Sequence, residues 1–267
     1  PAGPHSVHTL ASRSKGLGLF ATEQLREKVH RWRVERRTMD VEALKEEAGI
    51  AACAYVHDGM NVGLGTGSTV KYTILELGRQ VREENLRIVG VPTSIATRNL
   101  AIEVGIPLAD LDDLEGLDVV IDGTDEFDPN FQLIKGGGAA LLREKVVAQA
   151  SKSMVVVADE RKQVKTLGEF PLPIEVTPFS YATTKRAIEH LLGCEVNMRM
   201  AEDRLLETDN GNYIADAHTG PSLNDPENTE RELLNIAGVV QVGLFNNMCN
   251  VVVLASTEGV TILTKND

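Results

Sequence analysis

"LDVVIDGTDEFDPNFQLIKGGGAALLREKVVAQASKSMVVVAD", residues 117–159, decides the fold. "LDVVID" is a short apolar run between acids, the pattern of a strand buried on both faces. "GGAALLREKVVAQA" has helical apolar spacing, and "SMVVVAD" is a second buried strand. Strand, helix and strand of these lengths predict parallel strands with the helix laid across them.

The same alternation runs outward toward the N-terminus. "DVEALKEEAGIAACAYV", "STVKYTILELGRQVRE" and "TSIATRNLAIEVG" read as helices, the last stopped by Gly105, while "NVGLG" and "LRIVGVP" read as strands. The expectation is an α/β fold with a mostly parallel sheet and helices on both faces. Ligands of such sheets sit at the carboxyl ends of the strands, where "GTGST", "PTS", "DGTDE" and "ADERK" stand. The prolines of "EFPLPIEVTPF" break the alternation, and the texture beyond is α+β: helix "SYATTKRAIEHLLG", strand "EVNMRM", turn "DNGN" between strands, and a helix near "NTERELLNIAG". This predicts a smaller second domain. "VVQVGLF", "NVVVLAS" and "GVTILTK" return to buried strands that rejoin the first sheet.

Composition narrows the function classes. The chain has 267 residues and a net charge of −12, and its Cys53, Cys194 and Cys249 lack the spacing of a zinc site or a disulfide framework. That predicts a soluble, cytoplasmic protein with no membrane span and no secretory signal. Residues 1–38 hold eight Lys/Arg and three Glu, about +5, leaving −17 for the rest. This segment, before Met39, reads as an Arg-rich arm, an inert extension or a docked helix. The acidic body argues against a nucleic-acid partner.

"VGLGTGSTV", residues 62–70, carries Gly63 and Gly65 but has Ser68 where a dinucleotide fingerprint needs its third glycine, and it lacks the GK[ST] of a Walker loop. No acid follows at the end of the second strand to hold a ribose hydroxyl. What remains is a loop at a helix N-terminus whose backbone N–H groups, with the hydroxyls of Thr66, Ser68 and Thr69 around Gly67, suit a phosphomonoester. An acidic protein must create that positive site locally, and Lys45 and Lys162 are candidates.

Glu144 has Ala140, Leu141, Val147 and Ala148 at its i±4 and i±3 positions, so it lacks an intrahelical ion-pair partner, and a carboxyl flanked this way becomes a proton shuttle near neutral pH. Gly136, Gly137 and Gly138 offer backbone N–H groups to an oxyanion, and Lys135 adds a cation. Asp122 ends a strand and Asp125 follows it. Each feature alone has a plain explanation: a capped turn at Ser68, solvated lysines, Glu144 reaching water beside Arg143 and Lys145, Glu126 as a solvated neighbour, turn chemistry at Asp128. All meet at one strand edge, and together they suit aldose-ketose isomerisation of a sugar phosphate by proton transfer between neighbouring carbons. No metal cluster or redox cofactor is expected.

"VGLGTGST", "DGTDEFD", "LIKGGGAALLREK", "VVVADERKQVKTLG", "FPLPIEV", "TDNGN" and "GVVQVGLF" together resemble the ribose-5-phosphate isomerase family of the A type, in order and spacing from about residue 40 onward. The resemblance implies interconversion of D-ribose 5-phosphate and D-ribulose 5-phosphate in the non-oxidative branch of the pentose phosphate pathway, without metal or cofactor. It implies Glu144 as proton-transfer base, with Asp122, Asp125 and Lys135 serving ring opening and enediolate stabilisation. Thr66, Ser68, Thr69, Lys45 and Lys162 match positions that handle the phosphate end or the substrate hydroxyls. It further implies a Rossmann-like catalytic domain (39–170 and 242–267) carrying a smaller α+β, ferredoxin-like domain (171–241), assembled as a homodimer or homotetramer. Departures are Thr124, where alanine is common, and "DAHTGPSLNDPENTE". Two rivals differ at this site. A non-catalytic phosphosugar sensor would lack the base, and an amino-sugar phosphate isomerase/deaminase would favour histidine, absent from residues 122–145.

Overall fold

A computed structural model describes residues 41–265; the basic segment 1–38 lies outside them. Six strands form the main sheet: β1 (Asn61–Leu64), β2 (Val89–Pro92), β3 (Val119–Gly123), β6 (Met154–Asp159), β14 (Val251–Ser256) and β15 (Gly259–Thr264), in the order β15-β14-β6-β3-β1-β2. All neighbours pair in parallel except the antiparallel edge strand β15. Alternate residues point to opposite faces. Val62, Leu64, Ile121 and Val155 pack with Ala48 and Ala52 of α1 (Val41–Ala52) and Ile74 and Leu77 of α2 (Val70–Glu83). Val120, Met154 and Val156 pack with Leu141, Val147 and Ala148 of α4 (Leu141–Gln149) on the other side. Between them in the chain, α3 (Ile95–Glu103) starts at Ser94, whose hydroxyl accepts the Thr97 N–H at 3.0 Å.

A second, antiparallel sheet has the order β12 (Val239–Val242), β7 (Leu172–Val176), β11 (Tyr213–Ala217), β8 (Val196–Met198). With α5 (Tyr181–Leu192) after β7 and α6 (Pro226–Leu234) before β12, the connectivity is the β-α-β-β-α-β of a ferredoxin-like unit. Leu172, Ile174 and Val176 pack with Ile188 of α5 and Leu233 of α6. The alternate residues Pro173 and Glu175 are also buried, and the Pro173 ring stands beside Gly136, in the loop before α4. Short strands β4 (Glu126–Phe127), β5 (Leu133–Ile134) and β13 (Leu244–Phe245) form a third sheet, and β9 (Met200–Ala201) pairs with β10 (Arg204–Leu205).

Three local expectations are corrected. "VVQVGLF" does not rejoin the main sheet. At Gly243 it passes from β12 to β13, the Gly243 N–H donating to Pro173 O at 2.7 Å and its carbonyl accepting from Lys135 N at 2.8 Å. β15 is an exposed edge rather than a buried strand, with Val260 and Ile262 on the surface. α4 begins at Leu141, not within the glycines. Ala139 is left-handed (φ 58°) and its N–H closes a turn on Gly136 O at 2.9 Å, which interrupts the helix.

Candidate active site

The carboxyl ends of β1, β3 and β6 converge on a cavity of about 180 Å³. Of the candidates read from the sequence, Lys45, Thr66, Gly67, Ser68, Thr69, Asp125, Lys135, Gly136, Gly137, Gly138, Glu144 and Lys162 all line it, and Asp122 lies just beneath. Gly123, Thr124, Asp159 and Arg161 complete the lining.

The loop after β1 passes directly over Asp122. A Cβ on Gly65 would meet Asp122 Oδ1 at 2.3 Å, so glycine is required there. Oδ1 instead accepts the N–H of Thr66 (3.1 Å) and of Gly123 (2.7 Å). The Thr66 hydroxyl turns away from the cavity into a hydroxyl cluster with Thr93 (2.7 Å), Ser94 (2.8 Å) and Thr97 (3.2 Å). "PTS" therefore buttresses the loop from behind rather than lining the cavity. Gly67 and Ser68 are exposed. Among the described residues the hydroxyls of Ser68 and Thr69 have no protein partner, which leaves them free for an incoming anion at the N-terminus of α2.

At the other end the site is dry. Asp122, Lys135 and Glu144 are 0%, 2% and 3% exposed. Lys135 Nζ lies 3.1 Å from Asp122 Oδ2 and 3.2 Å from Glu144 Oε2, donates to Gly123 O at 2.6 Å, and sits 5.3 Å from the centre of the Phe245 ring. The ion-pair distances are short, yet neither Asp122 Oδ2 nor Glu144 Oε2 has an aligned hydrogen-bond donor. Burial, reinforced by the charge of Asp122 and opposed by Lys135, pushes the Glu144 carboxyl up to about 8. Burial also raises Asp122 against the pull of Lys135. For Lys135, burial works against the charge, but Asp122 and Glu144 outweigh it and hold the ammonium above its usual range. One cation thus serves two carboxyls that resist ionising together.

Asp125 reaches the glycines: its Oδ2 accepts the Gly137 N–H at 2.7 Å, and a Cβ on Gly137 would meet Oδ1 at 2.6 Å. One of the three glycine N–H groups is therefore already engaged. Lys162 Nζ stands 4.0 Å from Asp125 Oδ1, while Lys45 pairs with Glu42 at 2.6 Å. Asp159, buried at the end of β6, grips Arg161 through Nε (2.7 Å) and Nη2 (3.0 Å). Sequence reading passed over this pair, although D-x-R at a strand end was its visible signal.

Two charged neighbours of the site are buried. Glu126 is buried, not solvated, and accepts the N–H of Gly168 (2.8 Å) and of Phe170 (2.5 Å). Lys145 is buried too, bonded to Glu230, to Gln241 Oε1 (2.9 Å) and to Val242 O (2.8 Å), 5.0 Å from the same Phe245 ring. Arg143 donates to Asn210 Oδ1 (2.8 Å) and Asp209 O (2.7 Å). α4 is thus held on both sides of Glu144 by its sequence neighbours. Asp128 does serve its turn, accepting from Asn130 N and Gln132 N at 2.9 Å each.

A larger groove, about 920 Å³, runs between α3 and α4 beside Ile95, Ile102 and Val146. It holds no buried carboxyl-lysine cluster such as the smaller cavity has. Among the described residues no group of three His, Cys, Asp or Glu could hold a metal ion, and no helix is long and apolar enough to cross a membrane.

The family model for ribose 5-phosphate isomerase A (phosphoriboisomerase A) matches residues 89–259, which include Asp122, Asp125, Lys135, Glu144 and Lys162. This chain belongs to the ribose 5-phosphate isomerase A family. It is 48% identical over 233 residues to ribose-5-phosphate isomerase A of Nitrobacter hamburgensis, covering 85% of this chain and all of that relative. Among solved structures, ribose 5-phosphate isomerase A of Methanocaldococcus jannaschii superposes with a TM-score of 0.80 at 40% identity, over 84% of this chain and 99% of that one. The Plasmodium falciparum enzyme gives 0.82 at 36% identity, over 85% and 100%. A D-ribose-5-phosphate isomerase in complex with phospho-erythronic acid gives 0.81 at 40% identity, over 85% and 100%. Lys45 and the GTGST loop lie before the matched segment of the family model.

Proposed function

We propose that this ribose 5-phosphate isomerase A family member interconverts D-ribose 5-phosphate and D-ribulose 5-phosphate by moving a proton between C2 and C1, with Glu144 as the base. The observation that carries this reading is the dry end of the cavity. Glu144 is buried beside Lys135 with one oxygen lacking an aligned donor, and the wet end offers free hydroxyls to a phosphate.

In the open-chain aldose, Glu144 removes the proton on C2. The C2–H electrons form the C1–C2 double bond, and the carbonyl electrons move onto O1 as the enediolate. Glu144 then returns its proton to C1 as the O2 hydroxyl proton passes to O1, leaving the carbonyl at C2. Lys135 and the glycine N–H groups offset the enediolate charge. Asp122 and Asp125 assist ring opening, while Ser68, Thr69, Gly67, Lys45 and Lys162 hold the phosphate and hydroxyls, with Thr66 fixing the loop.

We further propose a homodimer or homotetramer in the cytoplasm, with residues 39–170 and 242–267 as the catalytic domain and 171–241 as the smaller one. The free cysteines 53, 194 and 249 and the exposed Phe179, Ile102 and Ile262 support that reading. The test is conversion of ribose 5-phosphate to ribulose 5-phosphate by the purified chain, with and without EDTA, against unphosphorylated ribose. Turnover of the phosphate ester that EDTA leaves intact is expected; no turnover, or equal turnover of ribose, overturns the reading.

A further inference from the structure

Arg199, between β8 and β9, stands behind the glycine turn rather than in the cavity lining. Its Nη1 donates to Gly136 O at 2.7 Å and to Gly137 O at 3.1 Å. Its other edge is taken by Asp216 on β11, with Nε to Oδ2 at 2.9 Å and Nη2 to Oδ1. The two side chains are only 15% and 18% exposed. A guanidinium is a rigid planar fork, so the Asp216 carboxylate that fixes one edge also fixes where Nη1 points.

That direction decides where the glycine N–H groups point. In a trans peptide the N–H lies opposite the C=O. Drawing the carbonyls of Gly136 and Gly137 back onto Arg199 therefore turns the N–H groups of Gly137 and Gly138 toward the other side. The Gly137 N–H meets Asp125 Oδ2 at 2.7 Å there. The Gly138 N–H has no acceptor among the described residues, and Gly138 lines the cavity. Glycine peptides are otherwise the least constrained in a chain, and Gly136 takes a φ of 109°. A cation on the carbonyl side also polarises each peptide, making its N–H a stronger donor.

We propose that Arg199, held by Asp216, is a positioning residue for the isomerisation: it locks the Gly136–Gly137 and Gly137–Gly138 peptides so that their N–H groups hold Asp125 and the enediolate oxygen. The inference rests on the isomerase reading above. Its reach is the reacting end of the sugar, because the hydrogen bonds of Arg199 go to Gly136, Gly137 and Asp216.

The experiment compares the wild-type chain with Arg199→Ala, Arg199→Lys and Asp216→Asn, measuring kcat and KM for ribose 5-phosphate and the folded fraction by circular dichroism. Absence of wild-type turnover overturns the functional reading and this inference with it. Wild-type turnover with unimpaired variants overturns the inference alone. The expected result for Arg199→Ala is a kcat lower by about tenfold to a hundredfold, with KM within about threefold of wild type. Millimolar guanidinium chloride should restore part of that kcat, while sodium chloride at equal ionic strength should not. Arg199→Lys, which keeps the charge but loses the fork, and Asp216→Asn should fall between. A kcat within about twofold of wild type, a change in KM alone, a loss in folded Arg199→Ala that guanidinium leaves untouched, or a loss in every variant that follows the unfolded fraction would overturn the proposal.

Discussion

The two ends of the 180 Å³ cavity are built on opposite principles. At one end Gly67 and Ser68 are open to water and the hydroxyls of Ser68 and Thr69 are uncommitted. At the other, Asp122, Lys135 and Glu144 are sealed from water and share one cation among two carboxyls. A phosphate arrives hydrated and charged, so it is best met by exposed donors that water leaves easily. Proton abstraction from carbon needs a base whose pKa has been lifted, and burial lifts it. On the proposed assignment, one small cavity in a protein of net charge −12 separates binding from chemistry by dielectric environment.

The comparison breaks most visibly at Lys135. Lys135→Met leaves two buried carboxyls without their cation, and kcat/KM should fall about a thousandfold in the isomerase assay. Its thermal unfolding should carry a pH signature. At low pH Glu144 keeps its proton and misses the lysine little, so the Tm shortfall against wild type should widen as pH rises. A shortfall independent of pH would contradict the shared-cation account.

Changes at the wet end should be smaller and of another kind. Ser68→Ala and Lys162→Ala are expected to raise KM about tenfold while kcat stays within about threefold. A loss confined to kcat would erase the division between the two ends.

The wild-type pH profile sharpens the division further. Because the Glu144 carboxyl sits near 8 instead of its usual 4.5, kcat/KM should climb with pH and level off above about 8. The sign for stability is opposite. A carboxyl raised by burial holds its proton in the folded state after the unfolded chain has lost it, so this group's contribution to stability declines between pH 4.5 and about 8. Activity and Tm moving together over that window would contradict the assignment. The mildest effect is expected at Glu126→Gln. With an NH2 in place of one acceptor oxygen, one of the two backbone hydrogen bonds away from the cavity is lost and the other weakened, which should cost about 1–3 kcal/mol by urea unfolding and leave kcat/KM within about twofold.

Much of this was legible in the sequence because it is local. The apolar runs at 117–122 and 153–159 became neighbouring parallel strands, and Glu144, read as flanked by apolar residues, is buried as that flank implies. What escaped depends on partners distant in the chain. Glu126 is dry because Gly168 and Phe170 close over it, and Lys145 because Glu230, Gln241 and Val242 supply its acceptors. Arg199 read as one residue of a strand, and only the fold brings it to the carbonyls of Gly136 and Gly137. Helical spacing cannot reveal such contacts, since each joins elements far apart in the chain. The roles of Asp122 and Lys135 were likewise suggested by motif order rather than by spacing alone.

The most direct test of the central claim is hydrogen exchange at carbon. With ribose 5-phosphate in D2O, the wild-type chain should place deuterium on C1 of ribulose 5-phosphate in those turnovers in which Glu144 exchanges its proton with solvent before returning it. Glu144→Gln, nearly the same size but unable to accept the proton, should lose both conversion and carbon-bound exchange by about a thousandfold while still binding ribose 5-phosphate. Exchange at the wild-type rate in Glu144→Gln would show that another group moves the proton.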